Sequence, residues 1–293
     1  MKVNFQLPDP SLSEMVMHYW AWDDLHRNAA LPRITPTIES NIIIQLRPFG
    51  VLENDRNKAI LPLIFYTGPM STWWNISTEN IVNGAFFAIR LQPRTAFQWF
   101  RLETDPFLDQ FPDLLEILPE LAYPLLDACY GTTSFEGRVQ AVESVLKRLR
   151  RLTEPNPLIR LALHRLNANT SLSIRELAAG LSISPRHLER LFHLEFGMAP
   201  KSVQKLARLR RTQNNIPGFL KYGLANLAMQ MGFSDQAHMT REFRHFTGFT
   251  PSSWFKEHFT TLGLFLPSLP ENTEEQQAES AMLSEAFDDS ELP

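Results

Sequence analysis

The segment IRELAAGLSISPRHLERLFHLEFGMAP, from Ile174 to Pro200, is repeated in pattern by LANLAMQMGFSDQAHMTREFRHFTGFTP, from Leu224 to Pro251. The two segments align at an offset of 50 and then 51, in these pairs: Leu177 with Leu227, Ala178 with Ala228, Arg190 with Arg241, Phe192 with Phe243, Gly197 with Gly248 and Pro200 with Pro251. Each segment has a short helical pattern, a tight turn and a second helical pattern, which is typical of a helix-turn-helix unit. The duplication therefore predicts two such units in the last third of the chain.

Capping residues mark the ends of the second helix in each unit. Ser184 is the predicted N-cap in the first unit, and Ser234 or Asp235 is the predicted N-cap in the second. Gly197 and Gly248 follow the last apolar positions, where glycine commonly ends a helix in a left-handed conformation. Both second helices are therefore predicted to be short and sharply bounded.

These two helices are also predicted to be amphipathic. Apolar side chains at helical spacing are expected to pack inward: Leu188, Leu191, Phe192 and Phe196 in the first helix, and Met239, Phe243 and Phe246 in the second. The other positions form a polar, mostly basic face: Arg186, His187, Glu189, Arg190 and His193 in the first helix, and Gln236, His238, Arg241 and Arg244 in the second. We expect these faces to contact DNA.

The segment from about Pro157 to His258 resembles the DNA-binding domain, with two helix-turn-helix motifs, of the AraC/XylS family of bacterial transcriptional regulators. The second copy, LAxxMGFSDxxxMTRxFRxFTGFTPSSW, is similar to the family signature in order and spacing, and RLRRT from Arg208 to Thr212 resembles the family's linker helix. The resemblance implies that the partner is double-stranded DNA at a promoter or operator, and that an activator would also contact RNA polymerase. It also implies which residues face the groove: Arg186, Glu189 and Arg190 in the first copy, and Gln236, Ala237, His238 and Arg241 in the second.

The chemistry of these side chains suits the recognition of bases. Arg190 and Arg241 are equivalent, and arginine suits bidentate contacts to guanine O6 and N7, each worth about 1–3 kcal/mol of discrimination. The alternative is that either arginine only holds a phosphate. Gln236 suits adenine N6 and N7, whereas Glu189 either accepts from cytosine N4 or only balances Arg186.

The distribution of charge separates this module from the rest of the chain. Residues 155–259 carry 14 basic residues (Lys and Arg) and 6 acidic residues (Asp and Glu). Residues 1–154 carry 14 basic and 18 acidic residues, and the remaining tail has 8 acidic residues and none basic. A basic module is what neutralisation of DNA phosphates requires. The predicted contacts to the DNA backbone are Lys201, Lys205, Arg210, Arg211 and Lys221. A linker helix of about 15 residues, roughly 22 Å long, is predicted to hold the two recognition helices about one DNA turn apart.

The first half of the chain is predicted to be β-rich. Short apolar runs broken by proline and glycine occur at IIIQL (42–46), LPLIFYTG (61–68) and FFAIRLQP (86–93), and six to eight strands are expected. Helices are predicted around 112–129 and 135–152. FFAIRLQPRTAFQWF (86–100), with FEGRVQAVESVLKRL (135–149), resembles a divergent sensor-like domain of some family members, which implies a jelly-roll or cupin-like fold. The predicted fold class is therefore α+β: a β-rich domain with trailing helices, then an all-α domain.

The first half also raises the question of a ligand. Only His18 and His26 are available there, so we expect no metal site and no cofactor. The single cysteine, Cys129, excludes an internal disulfide and is more typical of a buried small side chain than of a redox sensor. A small organic effector is an alternative, with aromatic residues as its walls and arginines as carboxylate partners: Trp73, Trp74, Phe86, Phe87, Phe97, Trp99 and Phe100, with Arg90, Arg94 and Arg101. Ordinary core and surface packing is the favoured interpretation for most of these residues.

A helix near the end of this half has a narrow apolar stripe. Val139, Val142, Leu146 and Leu149 step by 3, 4 and 3 positions, which is the spacing of a coiled-coil seam. The stripe predicts either a homodimer or packing of the helix against its own domain. Two heptads are too few to decide between these interpretations.

Proline and charge patterns divide the chain. The sequence TEPNP (153–157) predicts a linker, so the expected domains are 1–153, 154–262 and an acidic, disordered tail at 263–293. The start of the chain has no apolar signal segment and no run of about 18 apolar residues occurs, so a cytoplasmic protein with no membrane partner is expected.

Three classes of function are consistent with the sequence. A sequence-specific transcription regulator is favoured by the duplicated motif with its basic linker. A DNA-repair enzyme with a fused DNA-binding module would need a nucleophile or metal constellation, and the lone Cys129 argues against it, so we expect no enzymatic activity. The third class is a DNA-binding protein whose first half only dimerises and senses no effector.

Overall fold

The computed structural model describes residues 2–27, 31, 33–149, 156–169 and 172–254, with the side chains of residues 216–222 outside this description. The predicted linker lies largely outside these ranges, as does the predicted acidic tail. The domain boundary at 153 and the role of the tail therefore stay predictions.

The N-terminal domain is built on two antiparallel sheets. Its strands are β1 (Lys2–Gln6), β2 (Val16–Leu25), β3 (Ser40–Arg47), β4 (Val51–Glu53), β5 (Lys58–Ala59), β6 (Ile64–Thr67), β7 (Asn75–Ser77) and β8 (Gly84–Leu91). One sheet has the order β1-β2-β8-β3-β6 and the other the order β5-β4-β7. The three apolar runs of the sequence lie in or around β3, β6 and β8, as predicted.

The central strands β3 and β8 each contain a continuous apolar run because both faces of the larger sheet are covered. On β3, Ile42 and Ile44 lie in the core under the helices, while Ile43 lies in the core on the opposite face. On β8, Phe87 and Phe86 divide in the same way. A strand that is buried on both faces has no polar side, which explains why these segments do not alternate in polarity.

Helices cover one face of this sheet. They are α1 (Thr95–Phe100), α2 (Leu114–Ile117), α3 (Pro119–Tyr130) and α4 (Phe135–Leu149). Val139, Val142 and Leu146 of α4 are 0–1% exposed and belong to the same core as the sheet, with Leu149 packed at its margin. The apolar stripe is therefore used within the domain, and the prediction that it forms a dimer interface is corrected: a side chain buried in its own core cannot also pack against a partner.

The C-terminal domain is all-α, as predicted. Its helices are α5 (Pro157–Ala168), α6 (Ile174–Gly180), α7 (Pro185–Phe196), α8 (Pro200–Gln230) and α9 (Gln236–Thr247). They share one apolar core that runs from Ile159 to Trp254. The first helix-turn-helix unit is α6 with α7, and the second is the end of α8 with α9. The α+β class, with a β-rich domain followed by an all-α domain, is confirmed.

One feature of α8 differs from the prediction. The helix is interrupted at Gly223, whose φ of 79° and ψ of 156° are not helical. The part that joins the two units therefore runs from Pro200 to the residue before Gly223, roughly 34 Å at 1.5 Å per residue, instead of the predicted 15 residues. The remaining turns, up to Gln230, form the first helix of the second unit.

Candidate nucleic-acid interface

The recognition helix of the first unit, α7, begins and ends at the predicted residues. The backbone N–H of His187 donates to Ser184 Oγ at 3.1 Å, and Pro185 occupies the first helical position. Gly197 ends the helix with a φ of 65°, and its N–H donates to the carbonyl oxygen of His193 at 2.9 Å. Two local signals thus set the length of the helix.

The outer face of α7 is polar and exposed along its amino-terminal half. Leu188, Phe192 and Phe196 are fully buried in the domain core, and Leu191 is half-buried. Among the candidate groove residues, Arg186, Glu189 and Arg190 are exposed and His187 is half-buried. The first turns of α7 therefore present a charged surface to solvent.

The second recognition helix, α9, is capped by Asp235. The carboxylate Oδ1 of Asp235 accepts from the N–H of His238 at 2.6 Å, while the Ser234 hydroxyl hydrogen-bonds to both of these side chains. These bonds, first that from the backbone of His238 and then that from Ser234, lower the pKa of Asp235. Of the two candidate caps, Asp235 is the one used.

The outer face of α9 matches that of α7. Met239, Phe243 and Phe246 are buried, whereas the candidate groove residues Gln236, Ala237, Arg241 and Arg244 are exposed. His238 is half-buried, and its ring lies edge-on against Phe233 with a centroid distance of 5.4 Å. The two units therefore present equivalent exposed faces, with Arg190 and Arg241 at corresponding positions.

An ion pair that sequence analysis missed joins α9 to the linker part of α8. Arg208 donates to Glu242 Oε1 from Nη2 at 2.5 Å and from Nε at 3.0 Å, and its guanidinium lies 4.5 Å from the centre of the Phe233 ring. Both charged side chains are only 12% exposed. The only sequence signal was the position of Arg208 in the linker-like RLRRT stretch, which does not identify its partner.

The basic residues predicted to contact the DNA backbone have different surroundings. Lys201 is exposed near the start of α8, with its Nζ 2.7 Å from Gln204 Oε1, and Arg211 is half-buried. Arg210 instead binds the carboxylate of Glu39, which directly precedes β3 in the N-terminal domain. The guanidinium of Arg210 is directed to Glu39 while the side chain is 47% exposed, so its contact with phosphate stays a prediction.

Glu39 is almost completely buried and lies between two arginines. Its Oε2 accepts from Arg90 Nη2 at 3.0 Å and also binds Arg210. Burial opposes ionisation, but Arg210 and Arg90 outweigh it and lower the pKa of Glu39 to about 2. Glu39 is thus a buried carboxylate that connects the two domains.

A second buried contact between the domains joins Arg94, just before α1, to Glu195 on α7. The two side chains form an ion pair in which they are 7% and 2% exposed. Burial raises the pKa of Glu195, and Arg94 counteracts this effect in part. Arg90 and Arg94, which were candidate partners for a ligand carboxylate, therefore bind carboxylates of the chain itself.

The N-terminal domain also contacts the carboxyl ends of both recognition helices. Thr104 donates to the carbonyl oxygen of Leu194 on α7 from its backbone N–H at 3.3 Å and its hydroxyl at 3.2 Å, and Asp105 lies 2.7 Å from His193 Nδ1. A Cβ on Gly197 would lie 2.7 Å from the carbonyl oxygen of Thr104, so the backbones approach closely here.

At the end of α9, a single arginine makes the contact. Arg33 donates to the carbonyl oxygen of Thr247 at 3.2 Å, and its guanidinium lies between the rings of Trp73, at 3.9 Å, and Phe249, at 4.1 Å. Arg33 Nε also donates to Asn75 Oδ1 at 2.9 Å. The arginine is therefore held on the N-terminal domain and reaches the turn after the second recognition helix.

The aromatic residues considered as an effector pocket are largely core residues. Trp74, Phe86, Phe87 and Trp99 are buried in the two cores of the N-terminal domain. A separate cleft of about 360 Å³ lies at the amino end of α4, and its wall is mostly polar. The residues of this wall are Lys2, Asn4, Asp23, Leu46, Arg47, Tyr130, Thr132, Thr133, Ser134, Phe135, Glu136 and Arg138.

Three further features concern the cysteine, metal ligands and membrane spans. Cys129 is buried, and burial raises the pKa of its thiol to about 12. Within the described ranges, no three His, Cys, Asp or Glu side chains come together in a way that suits a metal ion. None of the helices described here is both long enough and apolar enough to span a membrane.

Two domain families match the chain. A helix-turn-helix domain matches residues 177–257, and a domain of unknown function (DUF6597) matches residues 4–113. No curated protein matches. The first match covers both units, and the resemblance of this segment to AraC-type regulators is confirmed.

Several solved structures are similar to the chain. A transcriptional regulator with an AraC-type DNA-binding domain from Chromobacterium violaceum is 26% identical over 34% of this chain and 91% of that chain, with a TM-score of 0.33. The C-terminal domain of AraT, a response regulator from Geobacillus stearothermophilus, is 15% identical over 42% and 99%, with a TM-score of 0.32. ToxT from Vibrio cholerae is 10% identical over 87% and 96%, with a TM-score of 0.42.

Proposed function

We propose, given that the chain is a DNA-binding regulator with an AraC-type helix-turn-helix domain, that it controls transcription by recognising two successive major-groove segments of one operator. The observation that carries this proposal is the pair of equivalent, exposed polar faces on α7 and α9. A recognition helix contacts base edges mainly through its amino-terminal residues, and those are the residues that α7 and α9 expose. One monomer would then bind a bipartite site.

Each exposed side chain is assigned a role by its chemistry. Arg190 and Arg241 would each pair with a guanine, and Gln236 with an adenine. Glu189 would accept from a cytosine amino group. Arg186, His187, Ala237, His238 and Arg244 complete the two faces, and Lys201 and Arg211 would contact phosphates.

Selection of bound sequences from random duplex DNA tests this function. The proteins compared are the wild type, Arg190→Ala, Arg241→Ala and, as a control far from both faces, Glu79→Gln in an exposed turn of the N-terminal domain. We expect a bipartite motif for the wild type and the control. Each arginine variant should lose about 1–3 kcal/mol of discrimination in a different half of the motif. Selection of no motif by the wild type, or loss of both halves in either variant, would contradict the proposal.

We also propose that a small effector, which binds in the N-terminal domain, controls this activity. The polar cleft at the amino end of α4 supports this role, since the three cations Lys2, Arg47 and Arg138 at its wall outnumber the two carboxylates, Asp23 and Glu136, and favour a small anion. A thermal-shift screen of small carboxylates and phosphates on the full chain tests the idea, with Arg47→Gln as the variant that should lose the shift. If no compound of either class stabilises the wild type, or Arg47→Gln responds equally, this site is excluded.

A further inference from the structure

Within the described residues, the N-terminal domain contacts three helices of the DNA-binding domain. Arg94 binds Glu195 on α7, Glu39 binds Arg210 on the linker part of α8, and Arg33 donates to the carbonyl oxygen of Thr247, the last residue of α9. One domain therefore touches both recognition helices and the helix that connects them.

These contacts leave the groove-facing residues free. They lie at the carboxyl ends of the recognition helices, whereas Arg190 and Arg241 are exposed nearer the amino ends. Because helix-turn-helix proteins contact bases through the amino-terminal part of the recognition helix, the docked arrangement is compatible with DNA binding.

The connection between the two units contains a joint at Gly223. A Cβ placed on this glycine would meet no described atom within 4 Å. Arg210 and Glu195, the partners of Glu39 and Arg94, precede Gly223 in the chain. Thr247, the partner of Arg33, follows it. The N-terminal domain therefore contacts the segments on both sides of Gly223. Inside the DNA-binding domain, the Arg208–Glu242 pair also connects these two segments.

Buried charges make this arrangement specific. Glu39 is 1% exposed and Glu195 is 2% exposed. A shift of the DNA-binding domain would leave Glu195 buried without its arginine and would remove one of the two arginines that bind Glu39, which is costly, whereas an apolar interface would tolerate small displacements. The two ion pairs therefore define one relative position of the domains.

We propose that the N-terminal domain is a template that fixes the distance between α7 and α9, and thereby selects the spacing of the two half-sites. Glu39, Arg94 and Arg33 are the positioning residues on the N-terminal side, and Arg210 is a positioning residue instead of a phosphate contact. This inference rests on the proposed function, because spacing has meaning only if both helices contact DNA.

The geometry of DNA makes spacing a sensitive readout. One inserted base pair moves the second half-site by about 3.4 Å and rotates it by about 35° around the axis. This change lowers the affinity of a protein whose two recognition helices are held at a fixed separation. It lowers the affinity less for a protein whose helices can move relative to each other at Gly223.

The experiment measures affinities of the full chain for the selected operator and for versions with one base pair added or removed between the half-sites. The proteins are the wild type, Glu39→Gln, Arg210→Gln, the double variant and the control Glu79→Gln. We expect the wild type and the control to prefer the original spacing by about tenfold, similar to the cost of one mismatched base pair. Both single variants should reduce this preference by the same factor, and the double variant should reduce it no further, because each change removes the same contact.

Two other results overturn the inference. If Glu39→Gln binds the operator more tightly while Arg210→Gln binds it more weakly, Glu39 only shields a phosphate-binding arginine. If spacing preference is unchanged in both variants, the N-terminal domain does not set it. Arg94→Gln provides the same test at the second contact if Glu39→Gln fails to fold. Failure of the wild type to select any motif is a different result, which overturns the proposed function itself.

Discussion

Arg94 and Glu195 lie 101 positions apart in the chain and form an ion pair between the two domains with both side chains almost fully buried. The Nη2 atom of Arg94 is buried and has no hydrogen-bond partner among the described residues. Because burying two charges costs nearly as much as their attraction returns, such a pair contributes more to the choice of arrangement than to net stability. It is therefore best tested by removing one partner.

Arg94→Ala should destabilise the protein by about 3–5 kcal/mol, because it leaves Glu195 buried without its cation. Urea denaturation of the full chain measures the change. The matched control is Asp105→Asn, which removes the exposed partner of His193 at the same interface and should cost less than about 1 kcal/mol. Equal effects of the two substitutions would show that the Arg94 pair is not effectively buried.

Glu39 should make the stability of the protein sensitive to acid. Its pKa is about 2 in the folded protein against an ordinary value of 4.5. The ionised form is therefore favoured by folding: its contribution is complete above pH 4.5 and is lost as the pH falls from 4.5 towards 2. The loss should be on the order of 3 kcal/mol.

Denaturation midpoints of the wild type and Glu39→Gln between pH 6 and pH 3 measure this contribution. At pH 6 the midpoint of Glu39→Gln should be lower than that of the wild type. Its midpoint should then fall less steeply as the pH is lowered, so that the two midpoints converge towards pH 3. Parallel curves would mean that the carboxylate of Glu39 does not have a lowered pKa in the folded state.

Leu146→Ala should destabilise the N-terminal domain by about 2–5 kcal/mol, because Leu146 is 1% exposed in the core between α4 and the sheet. Its solution mass should not change, since the apolar stripe of α4 packs within the chain. Denaturation and analytical ultracentrifugation provide the two measurements, and Tyr123→Ala, at a 61% exposed position of α3, is the control. A dimer in the wild type that Leu146→Ala converts to a folded monomer would contradict this placement.

The parts of the fold that the sequence predicts are those with local signals. Ser184 and Gly197 mark the ends of α7 by their own backbone preferences, and the apolar run at 86–93 marks a buried strand. The stripe on α4 predicts a helix correctly, but helices that pack on their own domain and helices that dimerise have the same periodicity. Only the surrounding core distinguishes these two cases.

The contacts between the domains have no such local signal. Glu39 and Arg210 are 171 positions apart, and each is a single charged residue in a segment with ordinary composition. The basic character of the linker helix predicts a phosphate contact for Arg210 but not its ion pair with Glu39, because counting charge in one module ignores the carboxylates of the other. The linker helix was predicted, but it is longer than expected, since the break at Gly223 is set by one glycine and not by a change of polarity.

Asp235→Ala should weaken the second recognition helix specifically. The carboxylate of Asp235 accepts the N–H of His238 and caps the turn that begins with Gln236 and Ala237. Loss of an N-cap costs about 0.5–2 kcal/mol, whereas asparagine is an equally good cap, so Asp235→Asn is the matched control and should be nearly neutral. In DNA selection, Asp235→Ala should relax the half of the motif bound by α9 and leave the half bound by α7 unchanged, because the two caps are independent. If Asp235→Asn has the same effect as Asp235→Ala, the negative charge matters and the capping hydrogen bond does not.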